Sequence, residues 1–191
     1  MTLLPLDTAR LRLRRFRTDD LARFVAYRSE PAVARFQSWP APYPEADGAA
    51  LIAEMVHSEP GKPGSWYQVA IEHRDSGVLV GDCAFCVLAE NPSAAEIGFT
   101  LAGAHQKKGY GHEAVSRLIE GLFSVLGLER VQAMCDTENV GSIRLLERLG
   151  MSLAGHFVDS YCDAGEWRSE YAYAVERQAW SYDGGTTQGA S

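Results

Sequence analysis

The 191-residue sequence predicts a single α/β domain. Three observations predict it. Short segments that alternate or run apolar, such as those at 66–73, 78–88 and 94–101, read as strands bounded by turn residues. One long segment carries helical spacing, with Val115, Leu118, Ile119, Leu122 and Leu126 on one stripe. Residues 1–180 contain no repeat and no linker long enough to split them, so one domain is expected there, followed by a mobile tail over 181–191 that has almost no apolar residue to bury.

Taken in order, Leu11 and Leu13 alternate with arginines and predict a first strand, whose arginines read as its solvated face. Thr18, Asp19 and Asp20 supply a helix N-cap and an acidic first turn, and Leu21, Phe24, Val25 and Arg28 continue that helix to about Ser29. The Pro- and Trp-rich stretch 31–44 predicts a loop, and a second helix follows over 45–57. After the break EPGKPGS, two strands (66–73 and 78–88) are joined by Arg74-Asp75-Ser76-Gly77, the residues a hairpin turn wants. A strand at 94–101 leads through AGAHQKKGYG into the strong helix from His112, which Gly127 ends. A strand at 129–135, a helix at 139–149 stopped by Gly150, and strands at 151–162 and 166–176 complete the chain.

Composition excludes several classes. Hydrophobic residues at 46% and charged residues at 23% are near the averages for globular proteins. No apolar run approaches the roughly 20 residues a membrane span needs. The first residues lack the basic-then-apolar order of a secretory signal, so a cytoplasmic protein that binds no membrane is expected. The net charge of −7 argues against general nucleic-acid binding, which needs a surplus of Lys and Arg on some face. Cys83, Cys86, Cys135 and Cys162 are scattered, which fits reduced thiols. Cys83 and Cys86 form a CxxC string, but on a strand they point to opposite faces, and the histidines show no ligand spacing. No metal site is expected.

The stretch from Gln106 to Ala114, between a strand and a strong helix, is the most informative. Gly109 and Gly111 let the backbone run close to a ligand, and amides at a helix start are free to donate. Phosphate oxygens there gain those hydrogen bonds and the favourable end of the helix dipole, so a diphosphate is the natural ligand. The other reading is a tight strand-to-helix turn. No GK[ST] follows, as a Walker loop would need, and the dinucleotide glycine motif is absent.

Gln106 to Gly111 resembles the Q/R-x-x-G-x-G/A pyrophosphate loop of the GNAT acetyltransferase superfamily. AEIGFTL upstream resembles that family's fourth strand. Asn139-x-x-Ser142-x-x-Leu145 through Leu149-Gly150-Met151 resembles its later motif, which meets the pantetheine arm. The closing GEWRSEYAYAV is similar to the last strand of the branch containing the RimJ/RimL-type ribosomal-protein N-terminal acetyltransferases, and the likeness runs over about 8–175. It implies a GNAT-like α/β fold, with a mixed, mostly antiparallel sheet of about seven strands flanked by about four helices and splayed in the middle to admit acetyl-CoA. It also implies that acetyl-CoA serves as co-substrate, held by Leu101, Gln106, Lys107, Lys108, Gly109, Tyr110, Gly111, His112, Asn139 and Ser142, with direct transfer to an amine in a ternary complex. The amine is that of a protein N-terminus or a small molecule. A monomer or a homodimer is expected.

The attacking amine must be neutral, which costs a lysine side chain about 4.6 kcal/mol at pH 7 and an α-amine about 1 kcal/mol. A modest base therefore suffices. Glu96 is the candidate base by position, as related enzymes often use an acid on that strand; it reads equally as a solvent-facing strand residue. Glu170 and bulk water come next. Asn139 and Ser142 suit an N-cap and a first turn, roles that can coexist with ligand contacts. Many superfamily members place the acid that meets the departing thiolate on a tyrosine where Leu146 stands here, which shifts that role to Ser142. Leu146 also favours a second reading, a catalytically silent acyl-CoA-binding sensor or scaffold. Trp39, Trp66, Tyr67, Tyr161 and Trp167 read as acceptor-site or packing residues, and the segment 36–43 as the part that determines substrate.

Overall fold

The computed structural model describes residues 2–163 and 165–182. The expected tail thus lies, from residue 183, outside the described residues. Among them, one sheet runs in the order β1-β2-β3-β4-β5-β6-β8-β7. Its strands are β1 (Leu6–Asp7), β2 (Leu11–Arg14), β3 (Trp66–His73), β4 (Val78–Val87), β5 (Ala94–Leu101), β6 (Arg130–Asp136), β7 (Ser152–Asp163) and β8 (Glu166–Glu176). Neighbours pair antiparallel except β5 with β6, which are parallel. The helices are α1 (Leu21–Arg28), α2 (Pro31–Ala34), α3 (Glu45–His57), α4 (Tyr110–Ser124) and α5 (Val140–Arg148).

The sheet exceeds the expected seven strands by β1, two residues that pair with Leu13 and Arg12. Two residues carry no readable alternation. The additional helix is α2, one turn begun by Pro31 at its first position inside the stretch expected to be a loop. Proline pre-sets the helical φ there and has no N–H to leave unbonded.

Helices cover both faces of the sheet because successive strand residues point opposite ways. On β4, Asp82 meets Tyr27 and Arg28 of α1. Its neighbour Gly81 pairs with Leu101, whose side chain lies toward Gly111 of α4. The stripe of α4 is anchored as its spacing predicts: Leu118, Ile119 and Leu122 are wholly buried, each contributing about 1.5 to 3 kcal/mol. The helix nevertheless stops at Ser124, so Leu126 falls beyond it and is half-buried, and Gly127 (φ +69°) shapes the turn that follows. No helix among the described residues is long and apolar enough to cross a membrane.

Charges correct two of the sequence expectations. Thr18 does not cap α1; residues 18–20 form a 3-10 turn in which the Asp20 carboxylate accepts the Arg17 N–H at 2.8 Å. Nor do the β2 arginines share one solvated face: Arg12 keeps 41% of its side chain exposed, but Arg14 does not. Arg14 is 6% exposed and sits between Asp20 and Glu72, with contacts of 2.7 Å to each. Glu72 lies 58 residues away in sequence, and no local periodicity reports such a partner.

Candidate active site

The parallel pair β5–β6 holds only three rungs: Ala94 with Arg130, Ala95 with Val131, and Glu96 with Gln132. Beyond them the pairing of β5 continues only to β4 and that of β6 only to β8. The sheet therefore forks, and the C-terminal halves of β5 and β6 become the two arms. A cleft of about 460 Å³ opens there, within the range of small-molecule sites. Phe99, Thr100 and Leu101 line it from β5, and Asn139, Gly141, Ser142 and Leu145 from the start of α5. Gln106, Lys107, Gly109, Gly111 and His112 of the loop into α4 close one end, and Val33, Phe36 and Gln37 reach in from the α2 region.

Loop and helix geometry make the closed end a donor site. Lys107 (φ +59°) and Gly109 (φ +81°) turn the chain left-handed before α4 begins. The first bond onto the helix runs from the Glu113 N–H to the Gly109 carbonyl at 3.1 Å, so the amides of Tyr110, Gly111 and His112 stand outside the ladder. The Gln106 side-chain amide donates to the Leu101 carbonyl at 3.0 Å, tying the loop back to β5. Gly111 is small for a reason beyond the one expected. A Cβ there would sit 3.1 Å from Leu145 Cδ2 and 3.6 Å from Leu101 Cδ1, so this glycine lets α4 and α5 approach as well as leaving room for a ligand.

Lys108 and Tyr110 do not line the cleft. The Lys108 carbonyl accepts a hydrogen bond from Arg10 Nη1 at 3.0 Å, and the Arg10 guanidinium lies 4.6 Å from the Tyr110 ring centroid. Arg10 also donates its backbone N–H and its Nε to Glu113, at 2.8 and 2.7 Å. Glu113 is buried in the first turn of α4 and accepts from Thr8 as well. Burial would push its pKa up, but the hydrogen bonds from Thr8 and Arg10 prevail and hold the carboxyl below its ordinary range. Sequence reasoning missed this support; an Arg beside Leu11 on an outer strand reads equally well as solvated.

At the other arm, the Asn139 Oδ1 accepts the Ser142 N–H at 3.1 Å, the N-cap expected of it, while both residues line the cleft. Leu146, one turn on, is 0% exposed and belongs to the core, so that position points away from the cleft and into the packing between helix and sheet.

Glu96 does not line the cleft. It stands at the apex of the fork on the opposite strand face from Phe99 and Leu101, level with Cys86 and Gln132. Half-buried there, its carboxyl is pushed up from the ordinary glutamate value by burial; the Gln132 side chain opposes the shift and the charge of Glu170 adds to it. Of the aromatic residues singled out, Tyr67 is buried, Trp39 packs on Arg28, and Tyr161 donates to Asp136 at 2.7 Å. Trp66 and Trp167 are exposed. Within segment 36–43, Phe36 and Gln37 face the cleft, whereas Tyr43 is buried against Phe24. Among the described residues no group of His, Cys, Asp and Glu is placed to hold a metal.

A forked α/β sheet with a helix start opening into the fork defines an acyl-coenzyme A transferase architecture. The chain belongs to the GNAT acetyltransferase family: residues 10–152 match the family model described as an acetyltransferase (GNAT) domain. It is 27% identical over 176 residues to the uncharacterized N-acetyltransferase p20 of Bacillus licheniformis, covering 92% of this chain and 98% of that protein. A GNAT-family acetyltransferase from Bacillus anthracis superposes with a TM-score of 0.81 at 25% identity, over 92% of this chain and 99% of the other. A putative ribosomal-protein-serine acetyltransferase from Vibrio cholerae gives a TM-score of 0.75 at 25% identity, over the same shares of the two chains. A Vibrio cholerae spermidine N-acetyltransferase, solved with CoA and spermine, shares the fold at a TM-score of 0.76 and 18% identity, over 90% of this chain and 98% of its own. The protein is thus an enzyme of the N-acetyltransferase type.

Proposed function

We propose that the enzyme transfers the acetyl group of acetyl-CoA to a primary amine, either a protein N-terminal α-amine or a small-molecule amine, by direct attack within a ternary complex. The observation that carries the reading is the continuity of one cleft from the amides at the start of α4 to the fork between β5 and β6. A diphosphate on the 107–112 amides, with Gln106, Asn139 and Ser142 along the arm, directs the acyl end toward the fork. Glu96 stands at its apex. The acceptors named for two of the similar structures, a ribosomal-protein serine and spermidine, support an amine acceptor without choosing between them.

In this reading the amine nitrogen forms a bond to the thioester carbonyl carbon, the carbon–sulfur bond breaks, and the electron pair leaves on sulfur. Glu96 takes the amine proton through a water. The Ser142 hydroxyl is the group on the cleft wall that can stabilise or protonate the departing thiolate, since Leu146 is committed to the core. An acetyl-CoA turnover screen over peptides and small amines, read as thiol release with mass-spectrometric identification of the product, tests the proposal. An N-acetylated amine is expected; thiol release without amine acetylation over the whole panel overturns it.

A further inference from the structure

Glu113 poses an electrostatic problem for the site just described. A carboxylate in the first turn of a helix stabilises that helix, but it competes with an incoming anion for the same positive dipole end. Here the carboxylate is buried, with its side chain 6% exposed. It lies in the same turn whose free amides face the cleft.

Arg10 answers that charge, and its side chain reaches both the loop and the first turn of α4. Its guanidinium holds both the Glu113 carboxylate, with Nη2 to Oε2 at 2.6 Å, and the Lys108 carbonyl. It covers the Tyr110 ring, and its Nη2 lies 3.2 Å from where a Cβ on Gly109 would stand. One side chain therefore touches residues 108, 109, 110 and 113, that is, the turn and the helix start together. The fork geometry of arginine allows this and a lysine ammonium does not reproduce it.

We propose that Arg10 is a positioning residue for the coenzyme: it neutralises Glu113 beneath the start of α4 and fixes the loop, so that the amides of residues 107–112 can accept a diphosphate. The inference rests on the reading that the diphosphate binds there. It assigns to the bend just before β2 a part in coenzyme affinity, although Arg10 does not itself line the cleft. Removing Arg10 leaves a buried carboxylate uncompensated at the anion site; removing Glu113 as well restores neutrality.

Calorimetric titration of coenzyme A, and of pantetheine as a probe with the same arm and no diphosphate, tests this on the full chain. Arg10→Met is expected to weaken coenzyme A binding roughly tenfold or more, with pantetheine binding unchanged. Arg10→Met combined with Glu113→Gln is expected to recover most of the loss. Glu113→Gln alone is expected to bind coenzyme A at least as tightly as the parent, and this variant keeps the test alive if Arg10→Met fails to fold. Equal coenzyme A affinity in Arg10→Met and parent overturns the inference, as does an equal loss for pantetheine, or a double variant no better than the single one. A folded parent that binds no coenzyme A overturns the loop assignment itself and the inference with it, so the two failures are distinguishable.

Discussion

Glu96 on β5 and Gln132 on β6 face each other across the last rung of the sheet's parallel pair, and the two strands part beyond it. The register places a titratable carboxylate at the one point where the sheet opens. On the cleft side of the same strand, Phe99 and Leu101 are two and four residues past the neighbouring Ile97, so the face that lines the cleft and the face that carries Glu96 alternate along one short segment.

The two loop glycines are expected to fail differently on substitution. Gly109→Val places a branched residue at φ +81°, which costs about 1 to 2 kcal/mol in backbone conformation and crowds Arg10 as well. Gly111→Val has ordinary helical conformation to adopt but overpacks against Leu145, a cost of about 1 to 3 kcal/mol. Both should weaken acetyl-CoA binding strongly. Thermal melting with and without acetyl-CoA, beside calorimetric titration, separates the effects; unchanged affinity in both folded variants removes the diphosphate from this loop.

A buried ion pair anchors α1 on β4. Arg28 and Asp82 have side chains 4% and 3% exposed and meet at 2.9 Å, while Trp39 and Phe24 stack on the guanidinium at 3.9 and 4.2 Å. Asp82→Ala strands that cation and should cost about 3 to 5 kcal/mol in urea denaturation. Combining Asp82→Asn with Arg28→Met removes both charges and should recover a large share of it. Additive losses would show that the charges are not coupled.

Strand and helix limits were legible wherever one short segment carries its own pattern. The segments 66–73 and 94–101, and the helix 45–57, appear with the limits expected of them. Asn139 and Gly150 likewise bracket α5 through their own conformations, a cap and a φ of +74°. What stayed hidden depends on distant partners. Arg10, Arg14 and Arg28 look alike in sequence and like solvated charges, yet each is paired to a carboxylate 103, 58 or 54 residues away. The left-handed turn into α4 was legible because a glycine before a helix start is a local signal; the hold of Arg10 on Glu113 was not, because the two lie 103 residues apart.

Leu146 offers a test of the leaving-group assignment. Because it is wholly buried, Leu146→Tyr should not create an acid in the cleft; it should overpack the core at a cost of about 1 to 3 kcal/mol without raising turnover. Ser142→Ala should lower turnover modestly, as an ordered water can replace a hydroxyl near the thiolate. Higher turnover in the tyrosine variant, or parental turnover in Ser142→Ala, would move the acid role away from Ser142.

The decisive variant for mechanism is Glu96→Gln. If Glu96 relays the amine proton through water, this change should lower turnover by about 10² to 10⁴ and leave acetyl-CoA affinity nearly unchanged, since the carboxylate lies outside the cleft that takes the coenzyme. Burial raises the Glu96 pKa, so the basic form appears only at a higher pH than for an ordinary glutamate. The acid limb of the rate profile then contains that ionisation together with the amine's, and the glutamine variant should retain the amine's alone, recovering part of its rate as pH rises. Stability runs the opposite way. A carboxyl whose folded value is raised stabilises the fold while protonated, and that contribution is lost as pH rises through the folded value. At pH 7 the ionised Glu96 therefore opposes folding, and Glu96→Gln should melt higher than the parent at pH 7, with the difference shrinking toward pH 4. A variant that gains stability but turns over like the parent at pH 7 would leave Glu96 as a strand residue only and pass the base role to Glu170 or bulk water.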